Sequence, residues 1–302
     1  MRFVVSEDGG RLDQFLAGHL EHYSRTQARR LIEDGQVQVN GRPAKPSLPL
    51  KVGDEVLVDV PPAADTDIRA EALALAVVYE SDAVVVVDKP AGVLTHPTSH
   101  DRSGTMVNAI LYHYPEIAAV GPPERRGVVH RLDRDTSGLV VFGRTQEGLS
   151  AMQDQFRRHD VWKTYQALVV GEPTPGAGVI TAALGRHPKY RARQAVLRQG
   201  GRPARTQYST LEIFSDYSLV HAHPLTGRTH QIRVHFAAVG HPVAGDPVYG
   251  RGPRDLGLSR QFLHAQLIRF LDPGTGEKVE LESTLPEDLQ AVLDQLRGRS
   301  RA

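Results

Sequence analysis

His130-Arg131-Leu132-Asp133-Arg134-Asp135-Thr136-Ser137-Gly138-Leu139 sets two carboxylates among basic and hydroxyl residues, between two apolar stretches. Upstream, Gly127-Val128-Val129 reads as a buried strand leading in; downstream, Leu139-Val140-Val141-Phe142 reads as another leading out. The run is therefore expected to be a polar loop held at both ends by a sheet. A single Asp in such a loop is usually a turn residue or a cap. Two carboxylates two residues apart can also form an acid/base pair on one face of an extended segment. The residues alone leave Asp133 and Asp135 open.

Four further stretches carry a pattern. Val84-Val85-Val86-Val87-Asp88-Lys89-Pro90-Ala91-Gly92-Val93, running to His96-Pro97, is a strand entering a tight turn. Lys163-Thr164-Tyr165-Gln166-Ala167-Leu168-Val169 reads as a strand bearing a Tyr. Thr226-Gly227-Arg228-Thr229-His230-Gln231-Ile232-Arg233-Val234-His235 alternates as a strand would, and Gly245-Asp246-Pro247-Val248-Tyr249-Gly250 follows it. In this order, over roughly residues 78 to 285, the five resemble the motifs of the RluA-type RNA pseudouridine synthases. The N-terminal module and His187-Pro188 are most similar to the D branch of that family, which acts on large-subunit ribosomal RNA.

The resemblance implies an isomerase that breaks the C1′–N1 bond of a uridine, turns the uracil and joins C1′ to C5. No atoms enter or leave, so no redox cofactor, metal or energy donor is expected. A carboxylate is needed where charge develops at C1′. The resemblance assigns that role to Asp133 and leaves Asp135 a loop-stabilising or exposed acid. It matches Arg233 to the Arg expected to pair with and orient Asp133. Arg228 is the rival; on the strand read here the two would face opposite sides, leaving Arg228 to contact RNA or support the turn. Tyr165 offers a ring for the uracil and a phenol that could move a proton. Arg131 is expected to fill the space left by the extruded base. His130, His230 and His235 lack the spacing of a zinc set.

The chain has 302 residues, enough for about two domains. Its 36 basic and 35 acidic residues leave a net charge of +1, so nucleic-acid binding has to come from local clustering. No cysteine is present, which excludes disulfides, thiolate metal sites and a thiol nucleophile and fits a reducing cytoplasm. No signal-peptide run opens the chain and no segment is apolar enough to span a membrane, so a cytoplasmic protein without membrane contact is expected; a monomer is expected as well.

Residues 1 to 62 read as a small α+β module resembling the S4 RNA-binding domain. A helix from Arg11 to Ala17 precedes one from Arg25 to Glu33, capped by Ser24 with Gln27 and stopped by Gly35. Strands at Val37–Val39 and Val56–Val58 follow, with Asn40-Gly41 as a turn between them. Arg25, Arg29 and Arg30 would face RNA. Residues 63 to 77, which follow Pro61-Pro62 and contain Asp65 and Asp67, read as a linker. Residues 78 to 302 read as an α+β catalytic domain with a mainly antiparallel sheet. Its helices are expected at 105–114, 147–158 and 286–296, and its strands at 84–88, 127–130, 139–143, 161–170, 178–184, 206–214, 217–223 and 228–236. A frayed tail closes the chain. Arg186, Lys189, Arg191, Arg193, Arg198, Arg202 and Arg205 fall in a stretch with no acid, which suggests a phosphate-binding hairpin.

RNA, specifically large-subunit ribosomal RNA or its precursor particle, is thus the expected partner. Two other readings stay open: an N-glycosidase using Asp133 with Asp135, and an inactive RNA-binding ribosome-assembly factor. Against the second, Asp133, Tyr165 and Arg233 are all present.

Overall fold

The computed structural model describes residues 1–7, 10–20, 23, 25–59, 68–190, 193–250 and 256–299. The chain divides into two compact units, Met1–Thr66 and Asp67–Ala302. The Ser24 cap with Gln27, Pro61-Pro62 and the start of the linker, Arg191 and the last three residues lie outside what is described.

In the first unit, α1 (Leu12–His19) and α2 (Arg25–Glu33) cover a four-stranded sheet of β1 (Arg2–Val4), β2 (Val37–Val39), β3 (Arg42–Pro43) and β4 (Glu55–Val58), in the order β1-β4-β2-β3. Leu12 and Leu16 of α1 meet Ala28 and Ile32 of α2 and Val37, Val56 and Val58 of the sheet in one apolar cluster. Asn40 and Gly41 both have positive φ, 51° and 73°. That is the backbone of a two-residue hairpin turn. It joins β2 to β3, a strand the sequence reading lacks, and not β2 to β4.

The second unit is built on a nine-stranded sheet among the described residues. β5 (Val77–Glu80), β6 (Val84–Lys89) and β7 (Ser137–Gly143) form one end. β8 (Trp162–Val170), β9 (Ala177–Thr181), β12 (Arg205–Ile213) and β13 (Tyr217–Pro224) form the other. β14 (Leu263–Leu271) joins the halves, parallel to β7 and antiparallel to β8, and β15 (Lys278–Glu282) pairs with β14. All other pairings in the sheet are antiparallel. β10 (Leu184–Arg186) and β11 (Gln194–Val196) form a separate hairpin. Helices α3 (Met106–His113), α4 (Gln146–Arg158), α5 (Gln231–Ala238) and α6 (Glu287–Arg299) pack on this frame.

β6 and β7 are apolar at every position from 84 to 87 and from 139 to 142 because both their faces are covered. Val85, Val87, Val140 and Phe142 join one cluster with α3; Val84, Val86, Leu139 and Val141 join another with Met152 of α4. This double burial fixes β7, and with it the exit of the 130–136 loop. A Cβ on Gly138, whose φ is 111°, would collide with the backbone of Ala265 in β14.

Three strand expectations need correction. Residues 127–130 form only an isolated bridge, Val128 to Phe142. Gly127 turns left-handed there (φ 66°), and the ladder N–H of Val141 is taken by the His130 ring at Nε2, 3.1 Å, instead of by a main-chain carbonyl. The strand read over 178–184 ends in the sheet at Thr181, and Leu184 already belongs to the β10–β11 hairpin. The largest change is 228–236, which is helical from Gln231 onward. Ile232, Val234 and Phe236 imitate strand alternation, but every residue from Gln231 to Phe236 is buried, so no polar face reveals the helical period. Four strands of this unit, β5, β11, β14 and β15, escaped the reading. In β14 a bulge between Ala265 and Leu267 shifts the inward-facing set from Leu263 and Ala265 to Ile268 and Phe270, which destroys a period of two.

No helix among the described residues is long and apolar enough to cross a membrane.

Candidate active site

The 130–136 loop is anchored from several directions. The buried ammonium of Lys89 donates to the carbonyls of Pro90 (2.8 Å), Val93 (2.7 Å) and Arg134 (2.9 Å). Burial pulls its pKa down to about 7, while Asp135 and Asp133 pull the other way. Three carbonyl acceptors match the three N–H bonds of an ammonium. Thr95 Oγ1 both accepts from Leu132 N and donates to Leu132 O, each at 3.2 Å. Arg260 Nη1 donates to Asp135 O at 3.1 Å. The backbone around Asp133 is thereby fixed from both sides before any substrate arrives.

Asp133 opens into a cleft of about 550 Å³ with Tyr165, His230, Arg233 and the apolar walls Pro224, Ile232 and Leu263. Arg233 Nη1 lies 2.9 Å from Asp133 Oδ2. The rest of that guanidinium is held by Asp246, with Nε to Oδ2 at 2.7 Å and Nη2 to Oδ1 at 3.0 Å. Asp246 Oδ1 also accepts the N–H groups of Val248 (2.8 Å) and Tyr249 (3.0 Å). Although burial opposes both charges, the pairing leaves the Arg233 pKa raised and the Asp246 pKa lowered. The Tyr165 phenol is pushed up by burial and by Asp133.

Among the described lining residues Asp133 is the one carboxylate; Arg131, Arg157, Lys163, Arg202 and Arg228 bring cations. Lys163 lies 4.9 Å from the centre of the Phe156 ring, and burial lowers its pKa to about 8. Asp135, the rival carboxylate, does not line the cleft. Arg228 and Arg233 both line it, because the turn before α5 replaces the strand that would have separated them. That turn is tied by Gln231, whose Oε1 accepts from Thr226 Oγ1 (2.7 Å) and Arg228 N (3.0 Å).

The other expected contacts fall outside this centre. Arg131 is exposed at the rim of the cleft. Arg186, Lys189 and Arg193 are exposed on the β10–β11 hairpin, and none makes an ion pair among the described residues. Lys189 and Arg193 both stack on Tyr190, at 5.5 and 5.3 Å from its ring centre. In the first unit Arg25, Arg29 and Arg30 are exposed but partnered, with Asp13 (3.1 Å), Glu33 (2.8 Å) and Asp34 (3.6 Å). Hydrogen bonding from Arg11, reinforced by Arg25, holds the Asp13 pKa down at about 2.

Sequence reasoning gave no role to Lys89, Lys163, Asp246 or Tyr249 and weighed His230 only as a metal ligand. Asp246 had a signal: an Asp followed by Pro two residues before a Val-Tyr pair reads as a turn whose carboxylate binds main-chain N–H groups. Its grip on Arg233 is a tertiary contact and left no such trace.

Comparison with known proteins agrees with this geometry. The RNA pseudouridylate synthase family model matches residues 83–238, and the S4 domain model matches residues 10–56. An uncharacterized RNA pseudouridine synthase of Chloroflexus aurantiacus is 47% identical over 290 residues, covering 96% of this chain and 91% of the relative. The ribosomal large subunit pseudouridine synthase D of Nitrosomonas europaea is 41% identical over 298 residues, covering 96% and 85%. Among solved structures, human RNA pseudouridylate synthase domain containing 1 superposes with a TM-score of 0.59 at 29% identity, covering 77% of this chain and 97% of that one. A cleft with one carboxylate on a nine-stranded sheet among the described residues, preceded by an S4 domain, therefore has its kin: the chain belongs to the RNA pseudouridylate synthase family and is an isomerase that converts uridine to pseudouridine in RNA.

Proposed function

We propose that the substrate is large-subunit ribosomal RNA or its precursor particle, modified in the cytoplasm by a monomer, with Asp133, Tyr165 and Arg233 as the reacting constellation. The names of relatives at about 40% identity over nearly the whole chain support the substrate. One observation carries the chemistry: Asp133 and Arg233, a hundred residues apart, meet at 2.9 Å in a cleft that holds no second carboxylate among its described lining residues.

C1′ of a stacked nucleotide is out of reach, so the uridine is extruded into the cleft while Arg131 fills the gap it leaves. Asp133 acts at C1′ as the glycosidic bond breaks. Arg233, immobilised by Asp246, keeps the carboxylate oriented toward the sugar. Tyr165 carries the detached uracil on its ring while it turns, and its phenol relays the C5 proton, giving its own to the Asp133 carboxylate as it takes the one leaving carbon. The exposed cations of the β10–β11 hairpin (Arg186, Lys189 and Arg193), with Arg228 on the rim and Arg25, Arg29 and Arg30 of the S4 domain, grip phosphates. A hydrolytic pair is disfavoured because Asp135 lies off the cleft.

The test is to map pseudouridines in ribosomal and transfer RNA from cells with and without the gene. Loss of specific pseudouridines from large-subunit RNA, restored by the wild-type gene, is expected. Loss confined to transfer RNA would overturn the substrate.

A further inference from the structure

His230 sits beside the catalytic pair and the scheme above does not use it. It immediately precedes α5 in a left-handed conformation, φ 56°, which turns its ring into the cleft. Its Nδ1 lies 2.8 Å from the Tyr249 hydroxyl. That hydroxyl oxygen also accepts the main-chain N–H of Gln194, the first residue of β11, at 2.8 Å. Among the described residues no other acceptor is hydrogen-bonded to the phenol. Its proton has a protein partner only if it points at His230 Nδ1, so Nδ1 is the acceptor and Nε2 carries the imidazole proton.

The orientation of Tyr249 is itself determined. Asp246 binds its main-chain N–H at 3.0 Å, and the Arg233 guanidinium lies 5.3 Å from its ring centre. The residue that anchors Arg233 thus also sets the tautomer of His230. The ring is kept neutral: burial, Arg233 and Arg131 lower its pKa against the opposing pull of Asp133 and Asp246.

The Nε2–H is unspent. Its nearest carboxylate oxygen, Asp133 Oδ1, is 3.9 Å away, beyond hydrogen-bond distance, and no other hydrogen bond to it occurs among the described residues. Four-fifths of the side chain is withdrawn from solvent, since 19% of it is exposed. A largely desolvated donor beside the carboxylate that addresses C1′ is placed for an acceptor that arrives with the substrate.

We propose that His230 is a catalytic residue of the isomerisation, donating its Nε2–H to a carbonyl oxygen of the extruded uracil as the C1′–N1 bond breaks. The bonding electrons leave with the base and spread over N1 and the carbonyl oxygens. A neutral N–H at that oxygen stabilises the departing anion without giving up its proton, so the base retains the charge it needs to re-attack C1′ through C5. This inference rests on the assignment of Asp133 to C1′.

The test uses the full-length enzyme and 5-tritiated RNA isolated from cells lacking the gene, because joining C1′ to C5 expels the C5 hydrogen. Tritium release at saturating enzyme reports the chemical step, and filter binding reports affinity. His230→Ala should keep RNA affinity within about twofold and slow single turnover about 100-fold, the usual cost of losing one such donor. His230→Gln, whose amide nitrogen reaches the Nε2 position, should recover to within about tenfold of wild type; His230→Asn, whose amide reaches only the Nδ1 position, should not. Tyr249→Phe should slow turnover about tenfold by releasing the tautomer. Equal losses in the Asn and Gln variants, an unaffected Ala variant, or a loss confined to affinity would overturn the proposal. Asp133→Asn run alongside separates the two claims. If it is inactive while His230→Ala is unaffected, only the role of His230 fails; if it is active, the assignment of Asp133 fails as well.

Discussion

Arg233 and Asp246 form a buried two-point ion pair, at 2.7 and 3.0 Å, that uses Nε and Nη2 of the guanidinium and leaves Nη1 for Asp133. The planar fork of an Arg makes this division possible; the single ammonium of a Lys could not hold both carboxylates in fixed directions. Asp246 is thus part of the site even though it does not line the cleft.

Asp246→Ala strips a nearly buried guanidinium of its main partner, and removing one member of a buried pair costs about 3 kcal/mol. Urea unfolding should show that loss. Tritium release should fall at least tenfold in the fraction that remains folded, since Asp133 would lose its fixed neighbour. Unchanged stability would mean that Arg233 is solvated and the pair is incidental.

His96 is 8% exposed, and burial together with Arg131 and Arg125 lowers its pKa to about 4. An unfolded His takes its proton near pH 6.5, so below that point the unfolded chain binds more protons than the folded one and stability falls with pH. His96 alone should contribute about 2 kcal/mol to the stability lost between about pH 7.5 and about pH 5. Urea midpoints of wild type and His96→Gln at both pH values check it; the variant should lose less. Parallel losses would place the titration elsewhere, for instance at His130, whose pKa burial lowers to about 3.

How much of this was legible depended on which contacts are local. β6, β7, α3 and α4 announce themselves because a covered strand must be apolar throughout and a surface helix must be amphipathic. The site residues were legible as motifs, and Asp133 and Arg233 do meet, but the strand geometry used to rank Arg233 over Arg228 was wrong. α5 hid because all of its first six residues are buried, β14 because a bulge reverses its phase. The contacts of Asp246 with Arg233, of Tyr249 with His230 and of the Lys89 ammonium with Arg134 are tertiary, and neither periodicity nor turn chemistry records them.

Arg186→Gln with Arg193→Gln removes two exposed hairpin cations that no carboxylate of the described structure neutralises. Affinity should drop for all RNAs, and the slope of log K against log salt should shrink by roughly 0.7 to 0.9 per lost phosphate contact. Filter binding over a salt series measures it. An unchanged slope with a slower single turnover would tie the hairpin to the chemistry, through Gln194 and Tyr249, instead of to binding.

The central claim, that one carboxylate at the 130–136 loop acts on the sugar, is tested most directly by tritium release at saturating enzyme from Asp133→Asn and Asp135→Asn. Asn keeps the shape and hydrogen bonding of the loop while removing the charge. Asp133→Asn should be inactive with RNA affinity nearly intact, and Asp135→Asn should stay within about tenfold of wild type, because its carboxylate lies off the cleft. Turnover by Asp133→Asn within tenfold of wild type, or a reversed ranking of the two, would contradict the account.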